Sequence, residues 1–517
     1  MNVRFSAVAV VAVALALVPP LAAFAQSMPG MTPEQMKRMA SPTPAPTPKP
    51  KPKAKTSAPG SMDGMQMASP TPAPAATTMP QAAPSAAPAM EMAPGMKMDG
   101  PASTAMTASD MASTTNVADP MSQEGSGTSW VPRSTQMFGW MQTHGADMTM
   151  EHGAIFPRYV SSGSERGDRR ADAPNWLMFM GTHALGSHAQ LGYRAMLSAD
   201  ALTENQTGYP LLFQSGETAH GVALHDHQHP HDLFAELALD YSVKIGNRAS
   251  AYAYAGYPGE PALGPPVYMH RRIAHDMPEA TIGHHWMDAS HIQFGFATLG
   301  FAPSSHLKLE ASTFTGREPN EIRTNFDPIH LDSYSERISW NPNDNTAIQA
   351  SYGFIKSPEV LAPLTDQHRL TASLLLNKSI GLDHNWYNGF VVGENLESGG
   401  PRTQSYLAET DYQSGRNAVF ARVEVGTRTA HDLVIPGVNQ DTVYHVGAFS
   451  LGGVHDLSRN PTALNFGLGA QVTLGTKSAA LNPVYGSATP VGFQVYLRVR
   501  PPDMAHSAMS GMSMGGH

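Results

Sequence analysis

Four histidines alternate with other polar residues in the stretch HDHQHPHD, which spans positions 225 to 232. In an extended chain alternate side chains share a face, so several imidazoles would point the same way. Imidazole combined with carboxylate suits Zn, Cu(II) or Ni(II). The candidate ligands are His225, His227, His229 and His231. A later segment offers histidines that could converge on them, namely His270, His275, His284 and His285. There are two alternatives: a polar loop that uses its histidines as hydrogen-bonding groups at the rim, or a simple pairing of Asp232 with an arginine of the lumen.

Methionines at MxM and MxxM spacings mark the N-terminal part of the chain, in MDGMQM and MEMAPGMKM. Thioether sulfur is a soft ligand that selects Cu(I) or Ag(I) over Zn, Mg or Ca. The candidate ligands are Met62, Met65, Met67, Met90, Met92, Met96 and Met98. We therefore predict Cu(I) binding here. The alternative is an incidental methionine bias, although such a tail has no core for methionine to fill.

The C-terminal stretch MAHSAMSGMSMGGH combines both ligand types. Its candidate ligands are Met504, His506, Met509, Met512, Met514 and His517. Mixed imidazole and thioether sites hold copper in either oxidation state. Copper, chiefly as Cu(I), is thus the cofactor that the sequence predicts.

The start of the chain predicts export. Residues 1–25 contain an early arginine, an apolar run broken by Pro19–Pro20, and Ala-Phe-Ala before Gln26, which is typical of a secretory signal peptide. The chain has no cysteine, so a small disulfide-stapled secreted domain is excluded. The net charge of −9 and the lack of a basic patch argue against nucleic acid as a partner.

Composition divides the remainder into three parts. Residues 26–128 are rich in Pro, Ala, Ser and Thr, so they bury too little apolar surface to fold and are predicted to be a disordered periplasmic tail. Residues 129–500 form the folded domain, and residues 501–517 form a second, Met- and His-rich tail.

The folded domain shows a period of two. In DLFAELALDYSV, Leu237, Leu239 and Tyr241 alternate with Glu236 and Asp240. The segments HLKLEAST, FGLGAQVTL and GFQVYLRVR alternate in the same way. A succession of such strands, joined alternately by short and long links, is typical of a transmembrane outer-membrane β-barrel. We predict an all-β fold of about 16 antiparallel strands, although 12 or 14 strands would also fit the pattern. An even number of strands puts both tails in the periplasm. A soluble β-sandwich is the alternative.

Several longer blocks resemble a family of bacterial outer-membrane β-barrel proteins. They include YPLLFQSGETAHG, HQHPHDLFAELALDYS, AYAGYPGEPALGPPVYMHR and DMPEATIGHHWMD, and the resemblance covers most of residues 129–500. That family is similar in layout to copper resistance protein B, which has a Met-rich tail before a barrel. The metal ligands of copper resistance protein B do not map onto positions here. The resemblance implies a barrel and a link to copper handling.

No motif for catalysis stands out, so we expect no enzyme. The segment GREPNEIR (316–323) looks like a salt-bridged loop, and the inward charges of the strands would tune a pore or pair as a structural plug. The predicted function is binding, sequestration or efflux of copper or another soft metal. The alternatives are a general porin and a structural envelope protein. The expected partners are outer-membrane lipid, metal ions, and a periplasmic copper protein or the cell wall. In this interpretation Asp232 begins a strand, and the histidines lie at the tip of an outward-facing loop.

Overall fold

The computed structural model of the 517-residue chain describes residues 111–381 and 383–504. Its strands are β1 (Trp140–His144), β2 (Asp147–Ile155), β3 (Arg158–Gly163), β4 (Arg169–Asp172), β5 (Asn175–Leu185), β6 (Ala189–Leu197), β7 (Tyr209–Ala219), β8 (Val222–Gln228), β9 (Phe234–Ile245), β10 (Ala249–Gly256), β11 (Phe296–Ser304), β12 (Leu307–Phe314), β13 (Ser333–Asn343), β14 (Thr346–Ile355), β15 (Gln367–Ser379), β16 (His384–Glu397), β17 (Arg402–Ser414), β18 (Asn417–Thr429), β19 (Val443–Asp456), β20 (Asn465–Lys477) and β21 (Val491–Arg500). Short helices are α1 (Asp200–Thr203), α2 (His284–Met287) and α3 (Asn482–Tyr485), with 3-10 turns at Met121–Gln123, Tyr268–His270, Arg272–His275 and Ala479–Leu481.

One antiparallel sheet closes on itself. Strands β2 and β3 follow one another along a single position of the wall, which pairs with β5 on one side and with β21 on the other. Strands β4 and β5 share the next position, β1 is a short hairpin partner of β2, and β7 and β8 form a separate hairpin. The result is a closed barrel of 16 strands, which confirms the predicted fold class.

The period of two sets the two faces of the wall. In β9 the exposed Leu239 and Tyr241 alternate with the buried Glu236 and Asp240. The outward residues of β12, β20 and β21 are likewise exposed and mostly apolar. An apolar outer band around a polar interior is typical of barrels that cross outer membranes.

No helix among residues 111–381 and 383–504 is long and apolar enough to cross a membrane.

The links between wall strands separate into two rims. The short-turn rim carries the links 186–188, 246–248, 305–306, 344–345, 380–383, 415–416 and 457–464. The long-loop rim carries the links 164–168, 198–233, 257–295, 315–332, 356–366, 398–401, 430–442 and 478–490. The chain enters and leaves the wall at the short-turn rim, where Gly139 N donates to Pro502 O at 3.0 Å.

The interior of the barrel is filled by protein. Four arginines that point inward from different strands are each no more than 3% exposed, namely Arg337, Arg369, Arg422 and Arg498. An open water channel would leave such side chains hydrated. Two segments occupy this space: residues 111–138, which we call the N-terminal insert, and residues 257–295, which we call the plug. Nearly every plug residue is buried. The inward charges therefore contact protein segments in this structure and not a water-filled pore.

Polar contacts fix the N-terminal insert to the wall. Gln190 Nε2 of β6 donates to Ser113 O at 2.6 Å, and Arg194 of the same strand pairs with Glu124 at 3.1 Å. Arg337 of β13 donates to Thr128 Oγ1 at 2.8 Å. The assignment of residues 111–128 to a disordered tail is wrong. Their Ser, Thr and Asn side chains bury little apolar surface, but they bond to a polar wall that composition does not reveal.

The plug is held by ion pairs and by its own backbone. Arg271 of the plug pairs with Glu409 of β17 at 2.8 Å. Arg422 of β18 donates to the backbone oxygens of residues 279 and 280 at 3.0 and 3.1 Å. Glu424 accepts from the backbone nitrogen of Ile282 at 2.7 Å. These contacts satisfy backbone groups of an irregular segment that could not otherwise be buried.

Candidate metal centre

Five histidines meet inside the barrel near the long-loop rim, and we call them the histidine centre: His229, His231, His284, His285 and His291. The first two precede β9, the next two form the start of α2, and the last lies in the plug just before β11. Neighbouring ring centroids are 5.1 to 6.2 Å apart. All five side chains are buried.

The Nδ1 atoms of four of these rings are held by protein oxygen atoms. His231 Nδ1 lies 2.6 Å from Asp200 Oδ2, and His284 Nδ1 lies 2.7 Å from Asp288 Oδ1. The other two are held less tightly: His285 Nδ1 lies 3.1 Å from Glu318 Oε1, and His291 Nδ1 lies 3.2 Å from Asp288 O. A carboxylate or carbonyl only accepts, so each contact places a proton on Nδ1, and in a neutral ring this leaves the Nε2 lone pair free.

The opposite nitrogens of the same four rings have no hydrogen-bond partner among the described residues. They are the Nε2 atoms of His231, His284, His285 and His291. A buried polar atom without a partner costs roughly 1–3 kcal/mol, so four of them in one cluster call for an explanation. An imidazole that is anchored through Nδ1 and free at Nε2 is the arrangement that metal-ligating histidines usually have.

The fifth ring is held at both nitrogens, with His229 Nδ1 lying 3.3 Å from Pro230 O. His229 Nε2 lies 3.1 Å from Glu217 Oε1, and Glu217 also pairs with Arg323 at 2.5 Å. Arg323 in turn lies 3.4 Å from Asp232. Glu217 has a backbone φ of 59°, which is rare for a residue with a side chain and is typical of constrained functional positions. Gly216 beside it lets the backbone approach the His285 ring, because a Cβ there would lie 2.5 Å from the ring.

Burial keeps most of these imidazoles neutral. It lowers the pKa of His284 to about 4, against the opposing effect of Asp288, and it lowers the pKa values of His229 and His291 well below the ordinary value. The pKa of His285 is raised, because Glu318 and Glu217 outweigh the effect of burial. Neutral imidazole is the form that binds metal ions, so His284 and His291 are able to coordinate at neutral pH, whereas the raised pKa of His285 opposes coordination.

Two of the rings are paired with carboxylates that have no arginine or lysine partner in the described protein. In the part of the chain that the structure describes, Asp200 and Glu318 have only His231 and His285 as ion-pair partners. Burial, followed by the nearby Asp200, raises the pKa of Glu204 well above its usual value, and both of its carboxylate oxygens lack hydrogen-bond partners among the described residues.

The side chains do not yet stand in coordinating positions. Within residues 111–381 and 383–504 no group of three or more His, Asp or Glu side chains has the geometry to hold a metal ion. The ring spacing nonetheless matches a shared ion: with a metal–nitrogen bond of about 2.0–2.1 Å, two imidazoles at a tetrahedral angle have centroids about 5.2 Å apart.

A pocket at the long-loop rim leads toward the centre. It has a volume of about 30 Å³ and is lined by Glu217, Glu359, His431 and Asp432 among others. Burial, followed by repulsion from Glu318 and Asp432, raises the pKa of Glu359 to about 7. Glu217 lines the pocket and also contacts His229, so only this side chain would separate a cation in the pocket from the histidine centre.

The structure separates the histidines that the sequence grouped. His229 and His231 join His284 and His285, as the proposed convergence of the two segments required, whereas His225 and His227 lie on β8 with their rings partly exposed. His270 contacts His152 and Trp176, and His275 contacts Phe138. His291 was missed, because it stands alone in sequence and shares no spacing with the others.

The predicted position of the stretch 225–232 is wrong. It does not lie at the tip of an outward-facing loop, since His229, His231 and Asp232 are buried, and the strand that follows begins at Phe234. The loop turns inward because Arg323 and α1 supply partners for its polar groups inside the barrel. Asp232 does pair with an arginine, but the partner is Arg323 of the 315–332 link and not an arginine of the wall.

The methionine ligands predicted at positions 62–98 lie outside the described residues, as do His506, Met509, Met512, Met514 and His517. Met504 is described and buried, and its backbone nitrogen donates to Met137 O at 3.0 Å. The segment 316–323 forms ion pairs as predicted, through Glu318 and Arg323.

Comparisons with known proteins leave the family open. No protein-family model matches the chain, and no curated protein matches it. Similar solved structures include OmpF of Salmonella typhi in complex with daunomycin, at 11% identity and a TM-score of 0.44 over 70% of this chain and 100% of that one. Others are an anion-selective porin from Comamonas acidovorans (13%, 0.42, 68% and 99%) and OprB of Pseudomonas putida (8%, 0.40, 68% and 94%). The likeness to copper resistance protein B therefore stays a prediction.

Proposed function

We propose that this protein is an outer-membrane barrel that binds a divalent transition-metal ion at the histidine centre in its closed interior. The observation that carries the proposal is the set of four buried imidazoles whose Nε2 atoms lack partners while their Nδ1 atoms are held by protein oxygens. Nitrogen ligands of this kind suit Zn(II), Ni(II) and Cu(II). The carboxylates of Asp200 and Glu318, which hold two of the rings, favour a cation over an anionic ligand.

The membrane location rests on the outer surface of the wall. Exposed aliphatic and aromatic residues such as Leu239, Leu299 and Val472 face outward from strands all round the barrel. In water so large an apolar band would cause aggregation, whereas lipid covers it without cost. By the usual orientation of such barrels, the long-loop rim faces outside and the short-turn rim faces the periplasm.

Metal binding by the full chain in detergent tests the proposal. We expect the double variant H284N/H291N to bind one equivalent of Ni(II) or Zn(II) fewer than the wild type in equilibrium dialysis. Asparagine keeps a donor near the Nδ1 position but removes Nε2, so the anchoring contacts are largely retained. With Cu(II), the nitrogen hyperfine splitting in the electron paramagnetic resonance spectrum should weaken in the same variant.

The double variant H225N/H227N is the matched control. Its two histidines belong to the same sequence stretch but lie outside the centre, so its stoichiometry should equal that of the wild type. Equal metal binding by both double variants would refute the histidine centre as the site. The control also removes the contribution of the tails, since these are identical in every protein compared.

A general diffusion channel is the second candidate. The strand number favours it, since barrels of 16 strands enclose a lumen wide enough for water and small solutes. This function requires the plug to leave the lumen. Conductance of the full chain in planar bilayers separates the two candidates: steady ion flow without added metal would support a porin, and its absence would support a closed, metal-binding barrel.

We further propose that the methionines of residues 62–98 bind Cu(I) and deliver copper to the same protein. The support is their spacing alone. Titration of Cu(I) into a peptide spanning residues 61–99, compared with a peptide in which every Met is Leu, tests this part separately.

A further inference from the structure

Methionine is concentrated on one part of the inner wall. Thirteen methionines occur in the described residues, and twelve of them belong to, or pack against, a single buried cluster. The wall strands β2, β5 and β6 contribute Met148, Met150, Met178, Met180 and Met196, all pointing inward. Elsewhere around the barrel, inward positions are mainly Ser, Thr, Gln, Glu and Arg.

Strand register sets four inward side chains at the corners of a box. Met150 on β2 lies directly opposite Met180 on β5, and His152 lies directly opposite Met178. Opposed residues in an antiparallel pair have Cβ atoms about 4.5–5.5 Å apart. The first pair therefore brings two thioethers together, and the second brings a thioether and an imidazole together. The three methionines are no more than 3% exposed.

A second imidazole reaches the box from the plug. The ring of His270 lies 5.8 Å from that of His152, and Trp176 packs against both at 4.9 and 5.1 Å. His152 Nε2 is buried and has no hydrogen-bond partner in the described protein. Simple filling of a core by methionine would not require an unpartnered imidazole among the sulfur atoms.

We propose that Met150, Met178, Met180 and His152, with His270 facing them, form a binding site for a soft monovalent ion, Cu(I) or Ag(I). Thioether sulfur discriminates against Zn(II) and hard cations, and neutral imidazole completes a mixed sulfur and nitrogen set. The site is distinct from the histidine centre in ligands and in metal preference, and it stands whether or not that centre binds a divalent ion.

Titration of Ag(I) into the full chain in chloride-free detergent solution tests the proposal. Ag(I) is the probe because it does not change oxidation state. We expect the triple variant M150L/M178L/M180L, which keeps the apolar volume of the box, to lose one Ag(I) equivalent. Ag(I) should also raise the unfolding temperature of the wild type but not of this variant, since a ligand stabilises only the fold that binds it.

The matched control is M111L/M121L/M277L, which changes three buried methionines of the same cluster outside the box. It should retain both the Ag(I) equivalent and the thermal shift. Equal loss, or no loss, in the two triple variants would overturn the site. If the box variant fails to fold, as judged by heat-dependent migration in gels, H152F replaces it with the same expected and refuting outcomes. H284N/H291N should retain the Ag(I) equivalent, which separates this site from the divalent one.

Discussion

Asp288 is the residue on which the geometry of the histidine centre most depends. Its Oδ1 lies 2.7 Å from His284 Nδ1, and its Oδ2 lies 2.6 Å from Arg271. Arg271 lowers the pKa of Asp288 against the effect of burial, so the group is a carboxylate at neutral pH. We predict that D288N weakens binding of Zn(II) or Ni(II) while the barrel remains folded.

The magnitude follows from the two contacts. Asparagine has one acceptor and one donor, so if its oxygen serves Arg271 its amide donates to His284 Nδ1 and moves the ring proton to Nε2. That tautomer cannot bind metal. Loss of an outer partner of this kind typically costs about 10–100-fold in metal affinity, equal to about 1.4–2.7 kcal/mol. The free energy of unfolding should fall by about 1.5–3 kcal/mol, because one charge-assisted bond is lost while Glu409 still neutralises Arg271.

The assay pairs titration calorimetry with urea unfolding, and D226N is the control. Asp226 is also a buried aspartate that contacts a histidine, His225 at 2.9 Å, and an arginine, Arg166 at 2.8 Å, but it lies outside the centre. D226N should lose a similar amount of stability and no metal affinity. If D288N and D226N bind metal equally well, Asp288 does not position a ligand and the coordination scheme fails.

Three further predictions concern pH, lipid and the plug. The pKa of His284 is about 4 in the folded chain and about 6.5 in the unfolded chain, so the unfolded state binds more protons between these two pH values. The free energy of unfolding should therefore fall as the pH drops from 6.5 to 4. In urea unfolding, the free energy of unfolding of H284N should depend less on pH than that of the wild type. Substitution L299R, at a side chain that is 69% exposed on the wall, should cost about 2–4 kcal/mol in lipid vesicles, whereas L364R, at a side chain 94% exposed in the 356–366 link, should cost little; equal costs would contradict the membrane placement. Replacement of residues 258–291 by a short Gly-Ser linker should open the barrel to ion flow in planar bilayers, and an unchanged, closed barrel would show that the plug does not block the lumen.

The wall could be predicted from the sequence because each strand carries its own signal. The alternation of Leu239 and Tyr241 with Glu236 and Asp240 specifies both the strand and its lipid face. The number of strands follows from repeating that argument along the chain.

The interior could not be predicted in the same way. The plug has no periodicity, and its stability comes from partners distant in sequence, such as Glu409 for Arg271. The convergence of His229 with His284 was foreseeable from two histidine-rich links at one rim, but the role of His291 and the inward turn of the 225–232 stretch depend on Arg323 and α1. The methionines of the wall were hidden because methionine is an ordinary core residue when read one strand at a time.

The position of the barrel seam has a consequence for biogenesis. The first and last wall strands meet at β2–β3 and β21, so the cylinder is not complete until the final residues of the wall are in place. Both the N-terminal insert and the plug precede those residues in the chain. The insert and the plug are therefore translated and available before the last strand docks, and the wall must close around contents that are already inside it. Without the plug, the inward arginines of the wall would lack partners, and an empty barrel would be an unstable folding intermediate. We therefore expect the wall to fold around the insert and the plug, and we do not expect these segments to enter a finished barrel.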